Sequence, residues 1–181
     1  MAVKTFTSEI LTSGDTNTYL ANSGLVYVTS ATIGTGVSSV TVSSAFNASY
    51  DAYKIVIAGG TSSADAALAL KLGASTTGYY MAKPYYVFAT NAAFPVQDNN
   101  AASWTQSGFA ISGQGLSMNA DIQNPFLAKY TYIQCSIIAP TLAGPGNGYH
   151  GVATSYNAFT ITPSTGTLTG GTVTVYGYRL G

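Results

Sequence analysis

The sequence predicts an all-β fold: a two-sheet, jelly-roll-like sandwich behind a short N-terminal arm or helix. Three observations carry this expectation. Apolar and polar residues alternate with period two in run after run, which gives each run one face for a core. Clusters of Gly, Pro, Asn and Ser separate the runs at short intervals, as hairpin and sandwich loops require. No stretch shows the pattern of a crossover helix between strands, so a parallel α/β sheet is not expected.

Two regions follow: residues 1–24 as an arm or anchor, and residues 25–181 as the sandwich. In the arm, Thr12-Ser13-Gly14-Asp15 reads as a helix start, with a hydroxyl to cap and an acid in the first turn. Tyr19 and Leu20 offer a small apolar face, and Asn22-Ser23-Gly24 is a stop signal. Strands are then expected over residues 25–28, 37–42 and 53–58, the last with Tyr53, Ile55 and Ile57 on one face and a stop at Gly59-Gly60. Leu68, Leu70 and Leu72 mark the next strand. Residues 79–89 are aromatic and strand-like, although Pro84 forces a bulge or an edge position. Residues 91–106, with Asp98, Asn99, Asn100 and Trp104, read as a long inserted loop.

Further on, residues 115–123 place Leu116, Met118, Ala120 and Ile122 on one face, and residues 130–139 set Ile133, Cys135 and Ile137 against Tyr132, Gln134 and Ser136. Gly144-Pro145-Gly146-Asn147-Gly148 reads as a turn. Strands over 149–155, 158–162 and 172–179 complete the set, with turns at 163–166 and Gly170-Gly171.

The 181 residues suffice for one domain with a substantial core. Only 7% are charged and the formal net charge is +0, against about 25% charged in an average soluble domain. Neutral hydroxyls and amides are cheaper to desolvate than ions, and low net charge favours association. The composition therefore predicts large permanent contacts with copies of the chain or with neighbours. The six cations, Lys4, Lys54, Lys71, Lys83, Lys129 and Arg179, are scattered, so a nucleic-acid surface is not expected. The apolar runs are too short to span a bilayer. The polar N-terminus lacks a signal-peptide core, which predicts synthesis in a cytoplasm. Cys135 is the only cysteine; it precludes an internal disulfide and reads as a buried, inert thiol.

Candidate chemistry is sparse. Glu9, Asp15, Asp51, Asp65, Asp98 and Asp121 form no close pair in sequence, although two distant ones could meet in space. His150 is the only histidine, no Gly-x-Ser-x-Gly motif accompanies it, and a zinc site lacks ligands. Gly34-Thr35-Gly36 lacks the remainder of a dinucleotide fingerprint, and Gly144 to Gly148 lacks a phosphate-loop lysine. Asn47-Ala48-Ser49 matches a glycosylation triplet by chance, and Asp98-Asn99-Asn100 fits no calcium-loop spacing. No catalytic residue, cofactor or metal site is assigned. The fourteen tyrosines are more informative. Tyrosine covers much area at low entropic cost and keeps a polar tip, which suits subunit packing; the alternative is a face on which sugar rings stack.

Three stretches resemble the structural proteins of tailed bacteriophages. Residues 3–20 (VKTFTSEILTSGDTNTYL) resemble the arm that precedes a β domain in those proteins. Phe46-Asn47-Ala48-Ser49-Tyr50-Asp51-Ala52-Tyr53-Lys54-Ile55-Val56-Ile57 resembles a recurrent strand, and residues 159–179 a closing hairpin. Together they span most of the chain. The resemblance implies a non-enzymatic virion protein made in the host bacterial cytoplasm: an exterior capsid decoration or knob, or a short head fibre. Its implied partners are copies of itself, as a homotrimer, and the major capsid protein or tail proteins. Phe6, Ile10, Leu11, Tyr19 and Leu20 would anchor the arm. The alternative is a tail-fibre module that recognises host-surface glycan, with Trp104, Tyr149 and His150 as the surface-binding candidates.

Overall fold

The computed structural model describes residues 24–179. The arm residues Phe6, Ile10, Leu11, Tyr19 and Leu20, and the helix start at Thr12, lie outside them. The described residues form strands and no helix: β1 (Leu25–Thr32), β2 (Val40–Val42), β3 (Ala52–Ala58), β4 (Thr61–Ser62), β5 (Ala66–Leu72), β6 (Tyr79–Ala82), β7 (Tyr85–Val87) and β8 (Ala92–Phe94) in the first half. The second half holds β9 (Gln97–Ala101), β10 (Trp104–Ile111), β11 (Gly115–Gln123), β12 (Thr131–Ala139), β13 (Leu142–His150), β14 (Phe159–Pro163), β15 (Leu168–Thr169) and β16 (Thr172–Tyr178).

The chain is an all-β sandwich, as its period-two pattern predicts. The larger layer runs β1-β16-β3-β11-β12-β13-β6-β9, and the β7–β8 hairpin extends β13. The smaller layer runs β2-β14-β5-β10. One strand belongs to both. On one edge of β11, Gly115 to Met118 pair with β10 and Ala120 to Gln123 pair with β12, while the opposite edge pairs with β3. At this fork β10 leaves the plane and packs across β12, so the hydrogen-bonded path doubles over on itself. The two-stranded β15–β4 sheet joins them as a separate piece.

The enclosed core follows the alternation. Every second residue of β12 is buried and every intervening one exposed; β5 contributes Leu68, Leu70 and Leu72, and β3 contributes Tyr53, Ile55 and Ile57. Phe46 packs edge-on to Tyr53 at 4.9 Å and tilted against Phe159 at 5.6 Å. Each such side chain, fully buried, contributes roughly 1.5–3 kcal/mol.

Three sequence expectations are corrected. Residues 91–106 are not a long loop. Asn91, at φ 51°, closes a tight turn after β7, and the segment then forms β8, β9 and the start of β10. Its polar composition hid this, because its acid, Asp98, points inward to a lysine. Residues 79–89 are not one strand but two, broken at Lys83-Pro84, where the proline has no N–H for a ladder. Gly144 to Gly148 is not a turn but the middle of β13. A Cβ on Gly144 would lie 2.1 Å from the Pro84 carbonyl oxygen, and one on Gly148 would lie 2.3 Å from that of Tyr80. These glycines permit the close approach of β6 and β7 rather than a chain reversal. Pro145 falls between the β7 and β6 pairings, where β13 has no ladder partner on that side.

Candidate functional site

The outer face of the larger layer sets tyrosine, amide and charged side chains in two registered rows. Tyr176, Lys54, Asp121, Gln134 and Asn147 follow one another across β16, β3, β11, β12 and β13. Beside them Gln123, Tyr132, Tyr149 and Tyr80 cross β11, β12, β13 and β6. Period two accounts for both rows: the alternate residues of the same strands build the core.

At one end the tyrosines form a ladder. Tyr149 stacks on Tyr80 at 4.8 Å and 12°, and on Tyr130 at 6.0 Å and 25°. Tyr149 therefore has a ring on each side, and its faces are not open to a sugar. Directly behind, Trp104 donates its Nε1–H to the carbonyls of Tyr80 and Tyr149, 3.3 Å from each. Trp104 is fully buried, as is His150. The His150 ring stacks on Tyr79 at 4.2 Å, and its Nε2 shares a 2.8 Å hydrogen bond with the Tyr156 hydroxyl. Burial holds His150 below its usual pKa, with a smaller opposing effect from the Gly78 carbonyl. The Tyr79 hydroxyl accepts from Leu72 N–H at 2.8 Å, and burial pushes its pKa up to about 12. Of the three surface-binding candidates, only Tyr149 reaches the surface. The expectation fails for Trp104 and His150 because neither lies in a loop: a bulge in β10 between Trp104 and Gly108 accompanies the turn of the indole into the core.

In the middle of the face lies a shallow depression of about 190 Å³ lined by Asp121, Gln123, Tyr132, Gln134 and Asn147. It adjoins another of about 340 Å³ that shares Asp121, Gln123 and Gln134 and adds Ala52 and Tyr178. Lys54 Nζ lies 3.4 Å from both Asp121 oxygens, and the Tyr178 hydroxyl donates to Asp121 Oδ1. Desolvation, reinforced by that carboxylate, raises Tyr178 to about 12, so the phenol stays protonated. Tyr132 is exposed and has no ring partner among the described residues.

The other end is apolar. Ile138, Ala143 and Tyr86 stand in register across β12, β13 and β7, with Phe88 just beyond. Ile138, Tyr86 and Phe88 are 53%, 56% and 63% exposed. Such side chains rarely cluster in solvent without a partner.

Reading the sequence missed one polar cluster. Lys83 Nζ donates to Asp98 Oδ1 at 2.7 Å and to Thr105 Oγ1 at 2.6 Å, and Thr105 N–H donates to Asp98 Oδ2 at 3.0 Å. Asp98 is thereby fully engaged. Asp65 accepts from Ser112 N–H at 2.8 Å. Among the described residues no group of three His, Cys, Asp or Glu side chains could hold a metal ion. Burial pushes the Cys135 thiol up to about 12. No family model, curated protein or solved structure matches the chain.

Proposed function

We propose that this chain is a non-enzymatic structural subunit of a bacteriophage virion, an exterior capsid decoration, knob or short head fibre, that assembles with copies of itself. One observation carries the assembly: Ile138, Tyr86 and Phe88 stand exposed together on a chain in which only 7% of residues are charged. A contiguous apolar cluster of this kind favours burial against another protein surface. Two further features support the reading. The acids that could do chemistry are committed to structure, with Asp98 held by Lys83 and Thr105 and Asp121 held by Lys54 and Tyr178. The virion assignment rests on the resemblance of residues 3–20, 46–57 and 159–179 to tailed-phage structural proteins, and the arm over residues 1–24 would provide attachment to the capsid or tail.

Sedimentation equilibrium of the purified chain tests the assembly. The expected species is an oligomer, a trimer by the resemblance, that Ile138→Lys and Phe88→Lys convert to monomer with an unchanged β circular-dichroism spectrum. A wild-type chain that stays monomeric at micromolar concentration, and does not join particles, would overturn the reading.

A further inference from the structure

We infer that the depression between β11, β12 and β13 binds a neutral carbohydrate. This does not rest on the assembly reading, since the depression and the apolar end occupy different parts of the same face.

The chemistry begins with what is unengaged. Gln123, Gln134 and Asn147 project outward from neighbouring strands, and their amides have no side-chain hydrogen bond among the described residues. Each offers both a donor and an acceptor. Adjacent sugar hydroxyls require that combination, because each hydroxyl donates and accepts. Gln134 and Asn147 are direct cross-strand partners about 5 Å apart, Gln123 lies diagonally from Gln134 beside Tyr132, and Gln134 is about 7 Å from Tyr132 along β12, a span suited to one or two sugar rings.

Tyr132 provides the second element. Its ring is free, whereas both faces of Tyr149 are covered by Tyr80 and Tyr130. The apolar C–H face of a pyranose packs on an open aromatic ring, and beside the depression the stacking role falls to Tyr132 and not to Tyr149.

Charge selects the ligand class. The ionised groups of the depression, Asp121 and its neighbour Lys54, neutralise each other. Among the described residues that line the depression no unpaired cation awaits a phosphate, sulfate or sialic-acid carboxylate, and Asp121 can still accept from a sugar hydroxyl. An uncharged hexose or N-acetylhexosamine therefore fits better than an anionic or cationic ligand.

An array of immobilised oligosaccharides tests this, carrying glucose, galactose, mannose, N-acetylglucosamine and N-acetylgalactosamine termini beside sialylated counterparts. Wild-type protein should retain at least one neutral terminus. Tyr132→Ala and Gln134→Ala should each weaken it about ten-fold, the size of one lost ring contact or hydrogen bond. Tyr132→Phe should keep the ring and most of the binding, and Tyr149→Ala should change it little. All these positions are exposed, so folding survives the changes. Retention of no neutral terminus, retention of sialylated forms alone, or binding indifferent to Tyr132→Ala and Gln134→Ala would each overturn the inference. Two comparisons separate the proposals: wild-type protein that is monomeric yet retains sugar supports the depression alone, wild-type oligomer that retains none supports assembly alone, and an Ile138→Lys monomer that still binds sugar shows that the depression works without the interface.

Discussion

Lys83 and Asp98 form an ion pair inside the protein, with Nζ 2.7 Å from Oδ1 and side chains only 4% and 5% exposed. The pair fastens the break between β6 and β7 to β9, and Thr105 extends it to β10. A buried pair adds little over a well-packed apolar substitute, but its disruption strands a charge. Lys83→Met should therefore cost about 3–5 kcal/mol in urea denaturation. Adding Asp98→Leu should restore much of that loss. A single variant as stable as wild type would show that water reaches Asp98.

The glycines of β13 predict a steric effect with a built-in control. At Gly144 and Gly148 a new Cβ meets backbone carbonyl oxygens of Pro84 and Tyr80, which cannot rotate away. Alanine at either should cost about 3 kcal/mol, the upper range of overpacking. Gly115→Ala should be nearly neutral, because its Cβ would have nothing within 4 Å. Equal effects at all three positions would mean that glycine propensity, not close approach, governs β13.

Cys135 should be silent in the folded protein. Only 8% exposed, with its thiol pushed up to about 12 by burial, it has almost no thiolate at about pH 8. An aromatic disulfide reagent should label it only on unfolding, releasing one equivalent per chain. Native labelling as fast as that of a free thiol would place the β10–β12 packing in error.

The alternation in β5, β11, β12 and β16 was legible in the sequence because burial on one face imprints period two directly on the residues. What escaped was set by distant partners. Gly144 to Gly148 has turn composition, and only the approach of β6 and β7 makes it a strand. Asp98 looks like a loop residue until Lys83 draws it inward. Trp104 and His150 stand in or beside segments of loop composition, yet both are core. Tyr132 and Gln134 were legible as outward residues, but the free ring face and adjoining amides of Gln123 and Asn147 depend on register across three strands, which local pattern does not encode.

His150 predicts how stability responds to acid. It is the only histidine, and burial lowers its folded-state pKa below the ordinary value of 6.5. The folded state therefore takes up a proton less readily than the unfolded chain. Its contribution is complete above about pH 6.5 and is lost as pH falls below it, until the folded pKa is reached. With one group responsible, the slope approaches about 1.4 kcal/mol per pH unit. Ordinary carboxylates titrate near about pH 4, so the interval between about pH 6.5 and about pH 5.5 isolates the imidazole. Urea melts should show a falling midpoint across that interval, and His150→Gln, which keeps a polar side chain but does not titrate, should flatten it. A slope that persists in His150→Gln would assign the effect to another group. A flat wild-type profile would mean that the imidazole is protonated as easily inside the sandwich as outside it.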